Sequence, residues 1–356
     1  MILSRAPTRI TLGGGGTDLA SYYSNYGGFV IAGAINRYCT ILANKRFYPS
    51  IRLSYSQLEV KNRVEDIEHR IFRSALQLTN ITGGIELHST ADVPSNSGLG
   101  SSSSFTVALL MALHSYKREY VTRRQLAEEA CHIEIDMLGE PIGKQDQYIA
   151  TYGGLNCFTF ENDGNVLIEP LRVSPDIMDQ LENNLVLFFT GRERAASDIL
   201  RDQDNRSKAD DAAMIENLHK TKDIGLQTRK YLENGKIDML GELFHEHWEN
   251  KKKRSSGMSD SVINESYDNS VNFSLVFGVA IVYIRTPIVP MMTVTSTTEI
   301  ILLCRLRLFQ EVKSMFINNF SSSGNVLCLN HATTETMNIK IDREISTEYT
   351  VMPHGV

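Results

Sequence analysis

The run Pro94-Ser95-Asn96-Ser97-Gly98-Leu99-Gly100-Ser101-Ser102-Ser103-Ser104 narrows the chemistry of this chain more than any other. Glycines on both sides of Leu99 let the backbone come close to a ligand, and the serines behind them can cap a helix and present hydroxyls. An apolar run starts at once with Phe105 and continues through Val107, Ala108, Leu109, Leu110, Met111, Ala112 and Leu113, which predicts a helix buried on most of its surface. A buried helix holds its first N–H groups still, and fixed donors stabilise an anion without reorganising. The residues alone read either as a serine-capped helix behind a tight turn or as a phosphate cradle. A P-loop is excluded, because no Gly-Lys-Ser/Thr closes the run.

A second chemical element is Gly139-Glu140-Pro141-Ile142-Gly143-Lys144-Gln145-Asp146-Gln147-Tyr148. Pro141 and the glycines end a helix and enforce a turn, so Asp146 is expected on a short rigid element. A carboxylate held there beside a bound alcohol can accept its proton or orient it for in-line attack on a phosphoryl group. Four consecutive glycines, Gly13 to Gly16, precede Thr17 and Asp18, a loop suited to close approach by a small polyol. On the residues alone Asp18 reads first as an Asx-turn or a helix cap. Glu134 falls at the margin of a helical stripe made by Leu126, Ala130, Ile133 and Met137, as a boundary residue or a group aimed at a neighbour. Arg192 and Arg194 stand at the start of a helix, in a solvated loop or facing an anion.

The elements that must position these groups follow from patterning. Ala6 to Leu12 and the runs Phe29 to Ile35 and Tyr38 to Ala43 read as strands of an antiparallel-rich sheet. A short helix about Ile71 to Leu78 and a strand Gly84 to Ser89 come next, and Thr122-Arg123-Arg124-Gln125 is a capping box. Leu155 to Phe160, Val166 to Leu171 and Leu185 to Phe189 read as strands of a second sheet, which places a domain change near Thr151. Helices are expected over Ala212 to Leu232 and Ile237 to His247. The basic run Lys251-Lys252-Lys253-Arg254 reads as a solvated surface or as a face toward a second phosphate.

Composition bounds the class. The chain has 356 residues, enough for two modest domains, with 42% hydrophobic and 22% charged residues, ordinary for a globular protein. A net charge of −6 gives no footprint for nucleic acid, so an anionic ligand must be held locally. Five scattered cysteines show no metal spacing and read as reduced thiols of a cytoplasmic protein. No run suggests a leader or a membrane span.

The order Pro-x-x-x-Gly-Leu-Gly-Ser-Ser resembles the second motif of the GHMP small-molecule kinases. Ala6-Pro7-Thr8-Arg9 continuing to Gly16-Thr17-Asp18 is similar to the galactokinase-like first motif, and Gly-Lys-Gln-Asp-Gln-Tyr followed by Gly153-Gly154 resembles an element of the fucokinase and heptose 7-phosphate kinase branch. His247 to Met258 is similar to the heptose 7-phosphate kinase subgroup. The resemblance runs from Met1 to Tyr267. The family's third, glycine-rich motif has no counterpart beyond it, where Gly278, Gly324 and Gly355 stand apart.

The resemblance implies an α+β, two-domain architecture, with an N-terminal ATP-binding domain over 1–150 and a C-terminal domain over 151–356, divergent after 268. It implies ATP held by Pro94, Ser97, Gly98, Leu99, Gly100, Ser101, Ser102 and Ser103, with Mg²⁺ on Ser102 and Glu134. Asp146 and Arg9 take the catalytic positions. Gly15, Gly16, Thr17, Asp18, Lys144, Arg192 and Arg194 take the sugar phosphate. The implied reaction is phosphorylation of the anomeric hydroxyl of D-glycero-D-manno-heptose 7-phosphate. The alternatives are another sugar-1-kinase of the fucokinase type, or a non-catalytic sugar-phosphate or nucleotide binder.

Overall fold

The structure, a computed structural model, describes residues 1–95, 97–187, 189–190, 196–255, 258–259, 264, 267, 282–284, 299–302, 337–338, 341 and 348–351. Its strands are β1 (Ile2–Gly13), β2 (Gly28–Lys45), β3 (Ile51–Ser54), β4 (Leu58–Lys61), β5 (Ile85–Ala91), β6 (Leu155–Phe160) and β7 (Val166–Pro170). The helices are α1 (Ala20–Tyr26), α2 (Arg70–Leu78), α3 (Ser101–Lys117), α4 (Arg123–Cys131), α5 (Gln145–Tyr152), α6 (Pro175–Asn184), α7 (Ala196–Lys208), α8 (Ala212–Glu233) and α9 (Leu240–Lys252). The α+β class expected from the sequence is what the chain adopts.

β1 and β2 pair antiparallel at the centre of an eight-stranded mixed sheet. The two runs read separately over Phe29 to Ala43 are one strand of 18 residues. Its register slips between Pro7↔Tyr38 and Thr8↔Ile35, so Asn36 and Arg37 bulge out, and the Thr8 hydroxyl donates to the Arg37 carbonyl at 3.0 Å. The bulge lets the far edge of β2 serve two neighbours: its first half pairs with β6 and its second with β5. β3 adds to β5 in parallel, β4 to β3 antiparallel, and the strand Glu348–Val351 pairs with β1. β7 pairs with β6, which corrects the expected second sheet: Leu155 to Pro170 extends the first one. Alternation predicts which face a strand buries and is silent about its neighbour.

Both faces of the sheet are covered. Phe29 and Ile31 of β2 join Leu232 of α8 and Phe244 of α9, while the intervening Val30, Ala32 and Ala34 join Ala127 of α4 and Tyr148 and Ile149 of α5. α3 is buried nearly all round, as its apolar run predicts. Leu109, Leu110 and Leu113 are fully enclosed, each contributing about 2 kcal/mol by burial. α6 was not expected, although Ser174 caps it through the Ile177 amide and Pro175 occupies its first turn, both ordinary start signals. Cys39, Cys131 and Cys157 are buried free thiols, and burial pushes Cys39 and Cys157 up to about 12. Among the described residues, no helix is long and apolar enough to cross a membrane.

Candidate active site

Three elements converge on Arg9. Its Nε donates to Oδ1 of Asp146 and its Nη2 to Oδ2, both at 2.7 Å, a bidentate clasp from β1 to the first turn of α5. Nη1 donates to the Gly98 carbonyl at 2.6 Å, and the Arg9 backbone N–H donates to the Leu99 carbonyl at 2.9 Å. The serine loop is thereby laid along β1, with Leu99 buried as its anchor. Gly100 ends the loop in the left-handed region, at φ +73°, where an added Cβ would stand 3.1 Å from Oδ2 of Asp146. Only glycine permits both the turn and that approach. Gly100 also brings no side chain over the first turn of α3, so the helix start has no side-chain cap and its amides are disposed to receive an anion.

Glu134 faces the same helix start. Ser102 Oγ donates to its Oε1 at 2.7 Å and Gln147 Nε2 to its Oε2 at 2.7 Å. It is 2% exposed, not marginal. The reason is local: α4 runs into a π-helical stretch, His132–Met137, in which the Leu138 N–H reaches back to the Ile133 carbonyl. That widened turn breaks the 3.6-residue count on which the expectation rests. Burial raises the Glu134 carboxyl above its ordinary pKa, opposed by hydrogen bonds from Ser102, Ser103 and Gln147, with the Asp146 charge adding to the rise.

Asp18 is also buried. Its Oδ1 accepts from the Gly16 N–H at 2.9 Å and its Oδ2 from the Gln145 N–H at 3.1 Å, tying the glycine loop to the start of α5. Burial and then the Asp146 charge raise its pKa. The turn it closes runs backwards to Gly16 and so is not the expected Asx-turn, whose acceptor bonds the amide two residues on, and its second bond reaches the residue next to Asp146.

A single relative decides the family. D-glycero-alpha-D-manno-heptose 7-phosphate kinase of Campylobacter jejuni is 31% identical over 283 residues, covering 76% of this chain and 83% of its own length. The chain belongs to the GHMP kinases. The family model for the GHMP kinases N terminal domain matches residues 62–154, a span holding the serine loop, Glu134 and Asp146. A galactokinase of Thermococcus kodakarensis is 28% identical over 54% of this chain and 55% of its own length. The fold agrees with a crystal structure described as a D-glycero-D-manno-heptose 1-phosphate kinase from Bacteroides thetaiotaomicron, at TM-score 0.71 and 22% identity, covering 99% of this chain and all of that one.

GHMP kinases are phosphotransferases with ATP as donor, and the site of this GHMP kinase has a donor set to match. A hard cation such as Mg²⁺ takes oxygen ligands, and the paired Ser102 hydroxyl and Glu134 carboxylate fit one whose remaining ligands come from nucleotide phosphates and water. Several expected residues have their side chains engaged within the fold. Thr17 faces inward: its hydroxyl accepts from the Phe29 N–H at 3.1 Å and lies 2.8 Å from the Gly14 carbonyl, so it fastens the loop to β2. The Lys144 ammonium lies 3.1 and 3.2 Å from the two Glu128 oxygens and 3.1 Å from the Gly164 carbonyl, and so braces α5 against α4. Ser103 is buried and bonded to Glu134. Arg192 and Arg194 lie outside the described residues.

The glycine loop also differs from expectation. A Cβ on Gly13 would stand 2.8 Å from Cα of Gly225, so this glycine lets α8 close on the loop. The carbonyls of Gly15 and Gly16 accept from Arg254 Nη1 at 2.8 Å and Gln203 Nε2 at 2.9 Å. Gln147, Gln203 and Arg254 were missed as contributors. Gln147 carried a sequence signal in the Gly-Lys-Gln-Asp-Gln-Tyr run and Arg254 in the basic run that ends with it, whereas Gln203 carried none.

Proposed function

We propose that this chain is a Mg·ATP-dependent sugar kinase that phosphorylates the anomeric hydroxyl of D-glycero-D-manno-heptose 7-phosphate to the 1,7-bisphosphate. The observation that carries the reading is the clasp of Asp146 by Arg9 directly against the Gly98–Gly100 turn. It sets a proton acceptor for an alcohol beside the place where the start of α3 receives phosphates. The relation to the Campylobacter jejuni enzyme supports the choice of sugar.

In this reading Asp146 accepts the proton of the attacking hydroxyl, and its position is fixed by Arg9 from one side and Gly100 from the other. The Arg9 guanidinium lies between that carboxylate and the serine loop, where it offsets charge building on the transferred group. The α3 amides and Ser102 orient the donor phosphates, and Asp18, braced by two amides, lies where it can meet sugar hydroxyls. Ser102 and Glu134 would hold Mg²⁺, which would neutralise charge on the phosphates when bound. The N-terminal sheet and helices carry the nucleotide side, and the helices after 170 complete the sugar side. The test is ADP release coupled to a reporter, with D-glycero-D-manno-heptose 7-phosphate as acceptor and the product read by ³¹P NMR. Turnover with a new anomeric phosphate supports the reading. ATP binding without ADP release for this acceptor, L-fucose and D-mannose refutes it in favour of a binder, and turnover of L-fucose alone replaces heptose with a deoxyhexose.

A further inference from the structure

Three basic side chains on α9 and at its exit have no role in the chemistry above. His247, Lys251 and Arg254 are spaced i, i+4 and i+7, which aligns them on one stripe of the helix. α9 packs against β1, the strand that carries Arg9. Arg254 is the fixed member, buried at 2% exposure: its Nη1 donates to the Gly15 carbonyl at 2.8 Å, its Nε to Oδ1 of Asn217 at 2.8 Å and its Nη2 to the Thr221 hydroxyl. The other two are unsatisfied. Nε2 of His247 is buried with no hydrogen-bond partner. Lys251 makes no ion pair or hydrogen bond among the described residues, whereas its neighbour Lys252 pairs with Glu249 at 2.6 Å.

These groups repel one another. Lys251 is pushed down to about 8, first by burial and then by the positive charges of Arg254 and Arg9. His247 is lowered to about 3 by burial and by Arg254 and Lys251. Asp18, the carboxylate that acts on Arg254, is already bound by two amides. A half-buried cation with no partner among the described residues carries a desolvation cost in the free protein, and that cost is relieved when an anion arrives.

The location says which anion. α9 packs on β1, which carries Arg9, and Arg254 holds the Gly15 carbonyl, so the stripe borders the glycine loop and Asp18 on the acceptor side of Asp146. We propose that Lys251, flanked by His247 and Arg254, is the subsite for the phosphate that the sugar already carries before the reaction. The three donors of the ammonium and the single N–H of a neutral imidazole match the several acceptor oxygens of a phosphate monoester. Lys144, bound to Glu128, is not free for this task. The subsite rests on the sugar-kinase reading, and it explains how such an enzyme selects a phosphorylated acceptor over a plain sugar.

Lys251→Met tests it. The KM for D-glycero-D-manno-heptose 7-phosphate is expected to rise by about tenfold to a hundredfold, the loss of one charge-assisted contact, with the KM for ATP unchanged. The thermal midpoint of the free variant is expected to rise, because a half-buried charge without a partner among the described residues has gone. Lys251→Arg should recover part of the affinity. With the unphosphorylated heptose as acceptor, wild type and variant should be equally poor. Unchanged KM for the heptose phosphate in an active variant overturns the subsite alone. Equal losses on both acceptors, or a fall in midpoint that accounts for the lost activity, assign Lys251 to the fold and overturn it too. A wild type inert toward every sugar removes the kinase reading and the subsite together.

Discussion

Asp146→Asn changes one atom of the side chain and separates catalysis from folding. In the native clasp each carboxylate oxygen accepts from one nitrogen of Arg9 at 2.7 Å. An asparagine oxygen can accept from one of those nitrogens, but its NH₂ then faces the other donor, so one charge-assisted bond is replaced by a repulsive contact. Such a bond contributes about 1.5–3 kcal/mol where solvent is excluded. Here Arg9 and Asp146 retain 17% and 25% of their side-chain exposure, and water takes back part of the loss, leaving about 1 kcal/mol in folding stability. The proton acceptor is lost outright, which costs about 10²–10⁴ in turnover, or about 3–5 kcal/mol on the barrier. Nucleotide binding rests on the serine loop and should be spared. Single-turnover kinetics, calorimetric titration with an ATP analogue and urea unfolding measure the three quantities. Turnover within tenfold of wild type, or a stability loss as large as the rise in barrier, would refute the assignment of Asp146.

Gly100→Ala adds a methyl group in the left-handed region, costing about 1–2 kcal/mol of backbone strain, and crowds Asp146 Oδ2 at 3.1 Å and Arg9 Cγ at 3.4 Å. Turnover should therefore fall more than unfolding data alone explain, and an active variant with wild-type kcat contradicts this. Thr17→Val strands the Phe29 N–H beneath the glycine loop and should lower stability by about 1–3 kcal/mol with the acceptor KM unchanged. A selective rise in KM would return Thr17 to the sugar site. For Glu134, the folded-state pKa is raised by burial. Its charge thus weighs against the fold at neutral pH, and that burden lifts as pH falls toward the unfolded value. Glu134→Gln is then expected to melt higher than wild type at pH 7, with Gln147 Oε1, buried and unpartnered, available to the new amide. The gap should close with acidification, and half-maximal turnover should need more Mg²⁺. A variant that melts lower at pH 7 contradicts the sign.

Legibility in the sequence divides along physical lines. Gly98, Gly100 and Asp146 are readable because few residue types satisfy a left-handed turn packed against a carboxylate. Glu134 is not, since its orientation depends on a widened turn that no side chain announces. Thr17 and Lys144 have chemistry suited to a ligand or to the fold, and only their contacts with Phe29 and Glu128 decide. The strands over Leu155 to Pro170 are visible as strands, yet their partner β2 lies more than a hundred residues upstream, beyond any local pattern. Ser174-Pro175 shows the reverse case, a plain helix start passed over between two apolar runs.

The widened turn at His132–Met137 makes the cation-facing side of the cleft sensitive to length rather than to composition. Removing one residue between Cys131 and Glu134 would restore a regular helix and rotate the acidic group by about 100°, away from Ser102 and into the apolar space that Ile133 fills. Outward-facing His132 and Asp136 can vary without that effect. Insertions and deletions in this half-dozen residues are thus the changes by which a descendant could keep the scaffold and lose the Ser102–Glu134 pair.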